Sequence, residues 1–254
     1  MTTWDLRIFL RAFAAAILGI LVVWLVTAAS DEGQLTVGVR AGRTLPIAPL
    51  ASAVGAALAL GTNRVRAEVR ALEALGRSPS AIARSAAFGA ATPSVLVALA
   101  IVASSAIDVS GFYPRPPRGD AFSYEGGTFT SPTLGVSVGA DGEPKPVEIV
   151  QRPADEGLPS GARPAAAAAT AIAGVALALV SARAILRVSM LDRRARRQRR
   201  AIAIVLVFGC ALLTVVAFQA AAAHLVSPLL AIAPPMTLLA IALFLYVPRG
   251  ELTA

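Results

Sequence analysis

The sequence predicts an all-α membrane protein of six transmembrane helices, three plus three, with a small β-containing external insertion between the third and fourth. Three observations carry this. The 254 residues are 56% hydrophobic and only 15% charged, with a mean hydropathy of +0.70, whereas a soluble domain carries about 25% charged residues. The charges are gathered into blocks that leave five long uncharged runs. The cations are shared unequally among the segments between those runs. Together these exclude an ordinary soluble enzyme and a disordered or nucleic-acid-binding tail. Cys210 is the only cysteine and His224 the only histidine, so no intrachain disulfide and no Cys/His metal cluster is expected.

Residues 12–30, 44–63, 85–107 and 164–182 are uncharged runs of 19, 20, 23 and 19 residues. Each suits one crossing, since a membrane helix needs about 20 apolar residues for a core of about 30 Å. The run 201–248 is 48 residues long, too long for a single crossing. His224, Ser227 and Pro228 break it, which makes two helices and six spans in all. The first span, with Arg7 and Arg11 before it and Thr27-Ala28-Ala29 at its end, also has features of a secretory signal. Its apolar stretch is longer than a usual signal core, which favours a retained helix.

Orientation follows from the Lys and Arg content of the loops. Loop 64–84 holds 5 in 21 residues and loop 183–200 holds 8 in 18, against 5 in the 56 residues of 108–163. The two basic loops and both termini belong in the cytoplasm, and 108–163 lies outside. The chain therefore divides into spans 1–3 (1–107), an external segment (108–163) and spans 4–6 (164–254). In the external segment, strand character is found at 121–130 and 134–140, with a shorter third piece at 146–150. Asp141-Gly142 suits a hairpin turn. Gly135-Val-Ser137-Val-Gly139 fits the G-x-S-x-G pattern of a hydrolase nucleophile. The only histidine lies a full element away, so Ser137 is read as a strand or turn residue.

In loop 64–84, Val65, Val69 and Leu72 recur at i, i+4 and i+7 and form a narrow apolar stripe. Arg66, Arg70 and Glu73 fall away from it, and Glu68 lies at its edge. Gly76 suits a helix C-cap, and Ser78-Pro79 suits the N-cap and first position of the next helix. The expectation is an amphipathic helix over 64–76, lying at the membrane face or holding a partner. The arginines of 192–200 read as a topology determinant touching anionic lipid, with no interleaved aromatics for nucleic acid. No G-x-x-x-x-G-K-[ST] is present, so any ATP would be bound by another subunit. The spans hold essentially no ionisable residue, unlike those of proton or ion carriers. Arg40 and Arg43 flank the outer start of the second span and could contact lipid phosphate. Ordinary interfacial anchoring is the simpler reading of the same pair.

The stretch RTLPIAPLASAVGAALALGTNRVRAEVRALEALGRSPSAIAR resembles the LptF/LptG (YjgP/YjgQ) family of lipopolysaccharide export permeases. The resemblance lies in an L-P start to the second helix and a cytoplasmic pattern E-x-x-x-[ML]-x-A-x-G-x-[ST], here Glu68, Leu72, Ala74, Gly76 and Ser78. The opening WDLRIFLRAF and the three-plus-three layout are also similar. The resemblance implies a permease subunit of an ABC-type lipid exporter in the bacterial inner membrane, without enzymatic activity of its own. It implies a cytoplasmic P-loop ATPase dimer as partner and a second permease subunit, the same or paralogous, around a lipid cavity gated by the first and fifth spans. It gives Glu68 a contact with the ATPase, with Val69, Leu72, Gly76 and Ser78 shaping the coupling helix and its break. The family's external segment is a far larger β-jellyroll, which sets residues 108–163 apart. A non-transporting membrane scaffold of the same fold is the alternative.

Overall fold

The computed structural model describes residues 2–30, 35–113, 123–125, 127–131, 136–139, 141–146, 158–186 and 193–246. It is mostly helical. Among the described residues, five helical stretches are long and apolar enough to cross a membrane: Thr3–Ser30, Val37–Gly61, Pro79–Ala103, Ala162–Leu186 and Arg197–Ala222.

Helix α1 (Thr3–Ser30) starts well before its uncharged run because Thr2 and Asp5 form a reciprocal cap. The Asp5 amide donates to Thr2 Oγ1 (3.3 Å), and the Thr2 amide donates to the Asp5 carboxylate (3.0 Å), satisfying two helix-end donors. The second span is a bent unit: α2 (Val37–Thr44), a 3₁₀ turn (Leu45–Ile47) and α3 (Ala48–Gly61). Pro46 and Pro49 lie at this junction, where a missing N–H interrupts regular α-helical bonding. Helix α4 (Asn63–Ala74) and α5 (Pro79–Ala103) follow. Helix α6 (Ala162–Leu186) is the most buried of the five spans. Helix α7 (Arg193–Ala222) ends where the break was expected. His224 adopts the left-handed conformation (φ 57°), while its amide and that of Leu225 bond back to Ala221 and Ala220 at 3.0 Å each. This is a Schellman ending with histidine in the usual glycine place.

The sixth expected span is shorter. A 3₁₀ turn (Pro228–Ile232) leads into α8 (Ala233–Tyr246), which has 14 residues. At 1.5 Å per residue, α8 alone is about 21 Å long, short of about 30 Å of hydrocarbon.

Beyond α5 lies a small antiparallel meander of β1 (Ser123–Glu125), β2 (Thr128–Ser131), β3 (Val136–Val138) and β4 (Pro144–Pro146). The expected strand 121–130 is two strands, because the chain turns at Gly127 (φ 82°) and pairs Tyr124 with Phe129. The Asp141-Gly142 turn joins β3 to β4, with the Gly142 amide bonded to the Gly139 carbonyl at 3.0 Å. The last strand is Pro144–Pro146 instead of 146–150; residues 147–150 lie outside the described residues.

The core is built by α1, α3, α5 and α6. In lipid, helices associate mainly by close packing and interhelical hydrogen bonds, which favours small residues. Alanine-rich α6 fits that requirement. Ser52 of α3 and Ser94 of α5, both fully buried, share a 2.7 Å hydrogen bond. Gly174 of α6 lies against them, and a Cβ there would overlap the Ser94 side chain. Gly174→Ala should therefore destabilise the folded chain in detergent by about 1–3 kcal/mol, as overpacking does. Gly209→Ala on α7, where nothing lies within 4 Å, should be neutral or gain about 0.5–1 kcal/mol from replacing a helical glycine. Equal thermal shifts for the two variants would remove this account of the core.

Candidate functional site

The expected coupling helix is α4, one residue out of register at its start and ended by a built stop. Val65 and Val69 are buried, 2% and 1% exposed, in the same apolar cluster as Ile8, Leu60 and Ile82, with Leu72 and Trp4 packed at its margin. This is the apolar stripe read from the spacing. At the other end the Gly76 amide donates to Glu73 O and the Arg77 amide to Leu72 O, each at 3.0 Å. Gly76 has φ 86°, a conformation costly for residues with a Cβ, so this Schellman stop needs glycine. Ser78 then caps α5 by accepting from the Ala81 amide at 3.3 Å, with Pro79 at the first helical position. Glu68, Val69, Leu72, Gly76 and Ser78 are thus one helix, its stop and the next helix's start. Leu75, at the tip between α4 and α5, is 82% exposed.

Glu68 does not project away from the chain. Its Oε2 accepts from Trp4 Nε1 at 3.0 Å and from the Arg7 guanidinium, both on α1. Arg64, one turn earlier on α4, lies 3.4 Å from Oε1. Partial burial pushes the Glu68 carboxyl up, but the Trp4 hydrogen bond and the charges of Arg7 and Arg64 outweigh it and hold the group below its ordinary value. The sign follows: this contact is complete above the ordinary carboxylate range and fades only as pH falls through the lowered value.

Beside it is a second tie that the sequence reading did not contain. Asp5 of α1 is only 5% exposed. Its two oxygens accept from Arg77 Nη2, each at 2.8 Å, and Oδ1 also accepts from Ser85 Oγ at 2.8 Å. Arg77 in turn lies over the Trp4 ring, 5.9 Å from its centroid. Trp4, Asp5 and Arg7 therefore hold α1 to both α4 and the α4–α5 turn. No sequence motif marks these pairs. The one local signal was the Thr2-x-x-Asp5 cap.

Arg40 and Arg43 lie at the opposite end of the bundle from this cluster. Arg40 lies over Trp24 of α1, 5.9 Å from the ring centroid, and donates to Leu35 O at 3.5 Å; Arg43 is exposed in the last turn of α2. Also at that end, Arg163 donates to the carbonyls of Ile101, Ser104 and Ile107 at 2.7–3.0 Å, closing the C-terminus of α5. Tyr113 donates to Ala162 O at 2.7 Å. Ser137 lies mid-strand on β3, paired with Lys145 and Thr130, and not at a strand-to-helix turn. Cys210 is buried and lines a small apolar cavity of about 200 Å³ with Pro49, Thr170 and Phe218. Among the described residues no group of three or more His, Cys, Asp or Glu side chains could hold a metal ion.

Comparison with protein-family models, with characterised proteins and with solved structures finds no match to this chain.

The two ties differ in burial, and a pair of double-mutant cycles should separate them. For Asp5→Ala with Arg77→Ala, a coupling of about 1–3 kcal/mol is expected for a half-buried, two-oxygen pair. For Arg64→Ala with Glu68→Ala, where the Arg64 side chain is 85% exposed, less than about 1 kcal/mol is expected. Couplings of equal size in chemical unfolding would contradict the assignment of Asp5 as the principal anchor.

Proposed function

We propose that this chain is a membrane permease subunit of an ABC-type lipid exporter of the LptF/LptG kind. Its arginine-rich end and both termini face the cytoplasm of a bacterial inner membrane. It crosses six times, with the Pro228–Ile232 turn and α8 together forming the sixth crossing. ATP is bound by a separate cytoplasmic P-loop ATPase dimer, and a second permease subunit, the same or paralogous, completes the lipid path. The chain itself has no catalytic role.

The observation that carries this reading is the construction of α4. Only one face is buried; the helix is stopped at Gly76 and leaves Leu75 bare at its tip. An exposed leucine beside arginines is suited to an apolar pocket with an acidic rim on a partner. The ties from α4 and its turn to Trp4, Asp5 and Arg7 give a displacement of α4 a direct route into α1. Such a rigid connection is what energy coupling from an ATPase requires. Glu68 then has two faces: Oε2 held by α1, and an edge within reach of a docked partner. Arg40 and Arg43, at the other end, are proposed to meet the phosphate of the exported lipid. The small meander in place of a jellyroll means that hand-off outside uses another protein.

The test is purification of the tagged full-length chain in mild detergent with identification of co-purifying chains. A near-stoichiometric P-loop ATPase is expected, and Leu75→Asp should abolish it while the protein still inserts and folds. Glu68→Arg should also reduce it. Adding Arg7→Glu to Glu68→Arg restores the pairing between α1 and α4. If this swap restores ATPase binding in full, Glu68 serves the internal tie alone. Retention of the ATPase by Leu75→Asp would exclude α4 as its docking element. A complete absence of ATPase, with other membrane partners retained, would leave a non-transporting scaffold.

A further inference from the structure

At the arginine-rich end a cleft of about 420 Å³ opens between α3, α6 and α7. It lies within the size range of small-molecule sites. It exists because α7 packs on α6 and barely touches α3. Small side chains, Ala57 of α3 and Ala184 of α6, leave the space open, and Phe208 of α7 lines it as well. Two cations line the same cleft, Arg66 from α4 and Arg200 from α7, and no carboxylate does. Their neighbours are matched with acids: Arg64 with Glu68, and Arg77 with Asp5. Among the described residues the guanidinium groups of Arg66 and Arg200 have no such partner.

Two like charges bordering one apolar cleft repel each other unless an anion joins them. The anion must also bring apolar bulk to fill the space between the helices. We infer that this cleft is a binding site for an acidic glycerophospholipid. Its phosphate is held by Arg66 and Arg200 in charge-assisted hydrogen bonds, and an acyl chain lies along Ala57, Ala184 and Phe208. A zwitterionic lipid fits less well, because its own cation would face the two arginines. The site bridges α4 to α7, which make little direct contact with each other. It does not depend on the energy-coupling reading, since lipid binding can be measured whether or not an ATPase co-purifies.

The experiment is native mass spectrometry of the full-length chain in a zwitterionic detergent. The chain is offered equal amounts of dioleoyl phosphatidylglycerol and dioleoyl phosphatidylcholine. The wild-type chain should retain phosphatidylglycerol preferentially. Arg66→Gln with Arg200→Gln should weaken that retention by about tenfold, the scale expected for losing charge-assisted hydrogen bonds. Arg70→Gln with Arg199→Gln removes the same charge from the same two helices outside the cleft, and should change retention by less than about twofold. Ala184→Phe, which fills the cleft and leaves both arginines in place, should also lose the lipid. Millimolar inorganic phosphate should not displace it. The inference is overturned by any of three results: no preference in the wild-type chain, an equal loss in the Arg70/Arg199 control, or displacement by phosphate alone. Unchanged thermal unfolding of the two double variants shows that the comparison is between folded proteins.

Discussion

The carboxylate of Asp5, buried at the arginine-rich end, decides where α1 stands. A charge so nearly removed from water is costly unless its oxygens are fully occupied. Here they are, by Thr2, Arg77 and Ser85. That set of donors comes from the start of α1, the α4–α5 turn and the first turns of α5, so it exists only when all three are in place. Along its length α1 is placed by its buried face, where Ile8, Ala12 and Ala16 are fully covered, and its outward face adds little positional information. Leu18, Leu21, Val22, Leu25 and Val26 are exposed, and in hydrocarbon an exposed leucine is as comfortable facing lipid as facing protein. The polar end and the small-residue face fix the helix; the outward apolar side tolerates several neighbours.

The same physics explains the division of labour among the spans. Helices meant to stay together carry small residues on their shared faces, as around Ser52, Ser94 and Gly174. Close approach there multiplies dispersion contacts and lets two hydroxyls bond across the interface. Helices that border lipid or another subunit carry the large side chains outward, as Ile204, Val205, Phe208 and Leu212 do on α7. Helix α7 thus meets α6 and stays off α3, leaving the cleft lined by Arg66 and Arg200. The cleft is a direct result of placing a bulky, lipid-facing helix beside a bundle built of alanine.

What the sequence made legible was local. Uncharged runs located the spans; Gly76, Ser78-Pro79, Asp141-Gly142 and the His224–Pro228 break located the ends, because each acts on backbone within a few residues. The α1 cap at Thr2 was equally local and still escaped, since attention to apolar length starts the helix at the first uncharged residue. The ties that organise the candidate site could not be read at all. Trp4 to Glu68, Arg77 to Asp5 and Arg163 to Ile101 join residues separated by 64, 72 and 62 positions. Helical periodicity placed Glu68 at the edge of a stripe. It could not say whether that edge faced α1 or open water, because the stripe repeats on its own helix alone.

The two ends of the bundle are held by different chemistry. At the sheet-bearing end Arg163 clasps three carbonyls and Tyr113 a fourth, which ties α5 and α6 together, while α1 meets α2 through Trp24 and Arg40. At the arginine-rich end α1 is held by side-chain ion pairs to α4 and its turn. Between the ends, α1 comes close to α3 where Gly55 meets Ala12 and Ala16, with a Cβ on Gly55 falling 2.9 Å from Ala12 O. Helix α1 is therefore set by three kinds of contact along its length: ion pairs at the arginine-rich end, close backbone approach at Gly55 and Gly89, and the Trp24 ring under Arg40 at the other end. The first and last are side-chain contacts and can follow small rotations. The glycine approaches leave no room for added bulk, so the middle of α1 fixes its distance from α3 and α5.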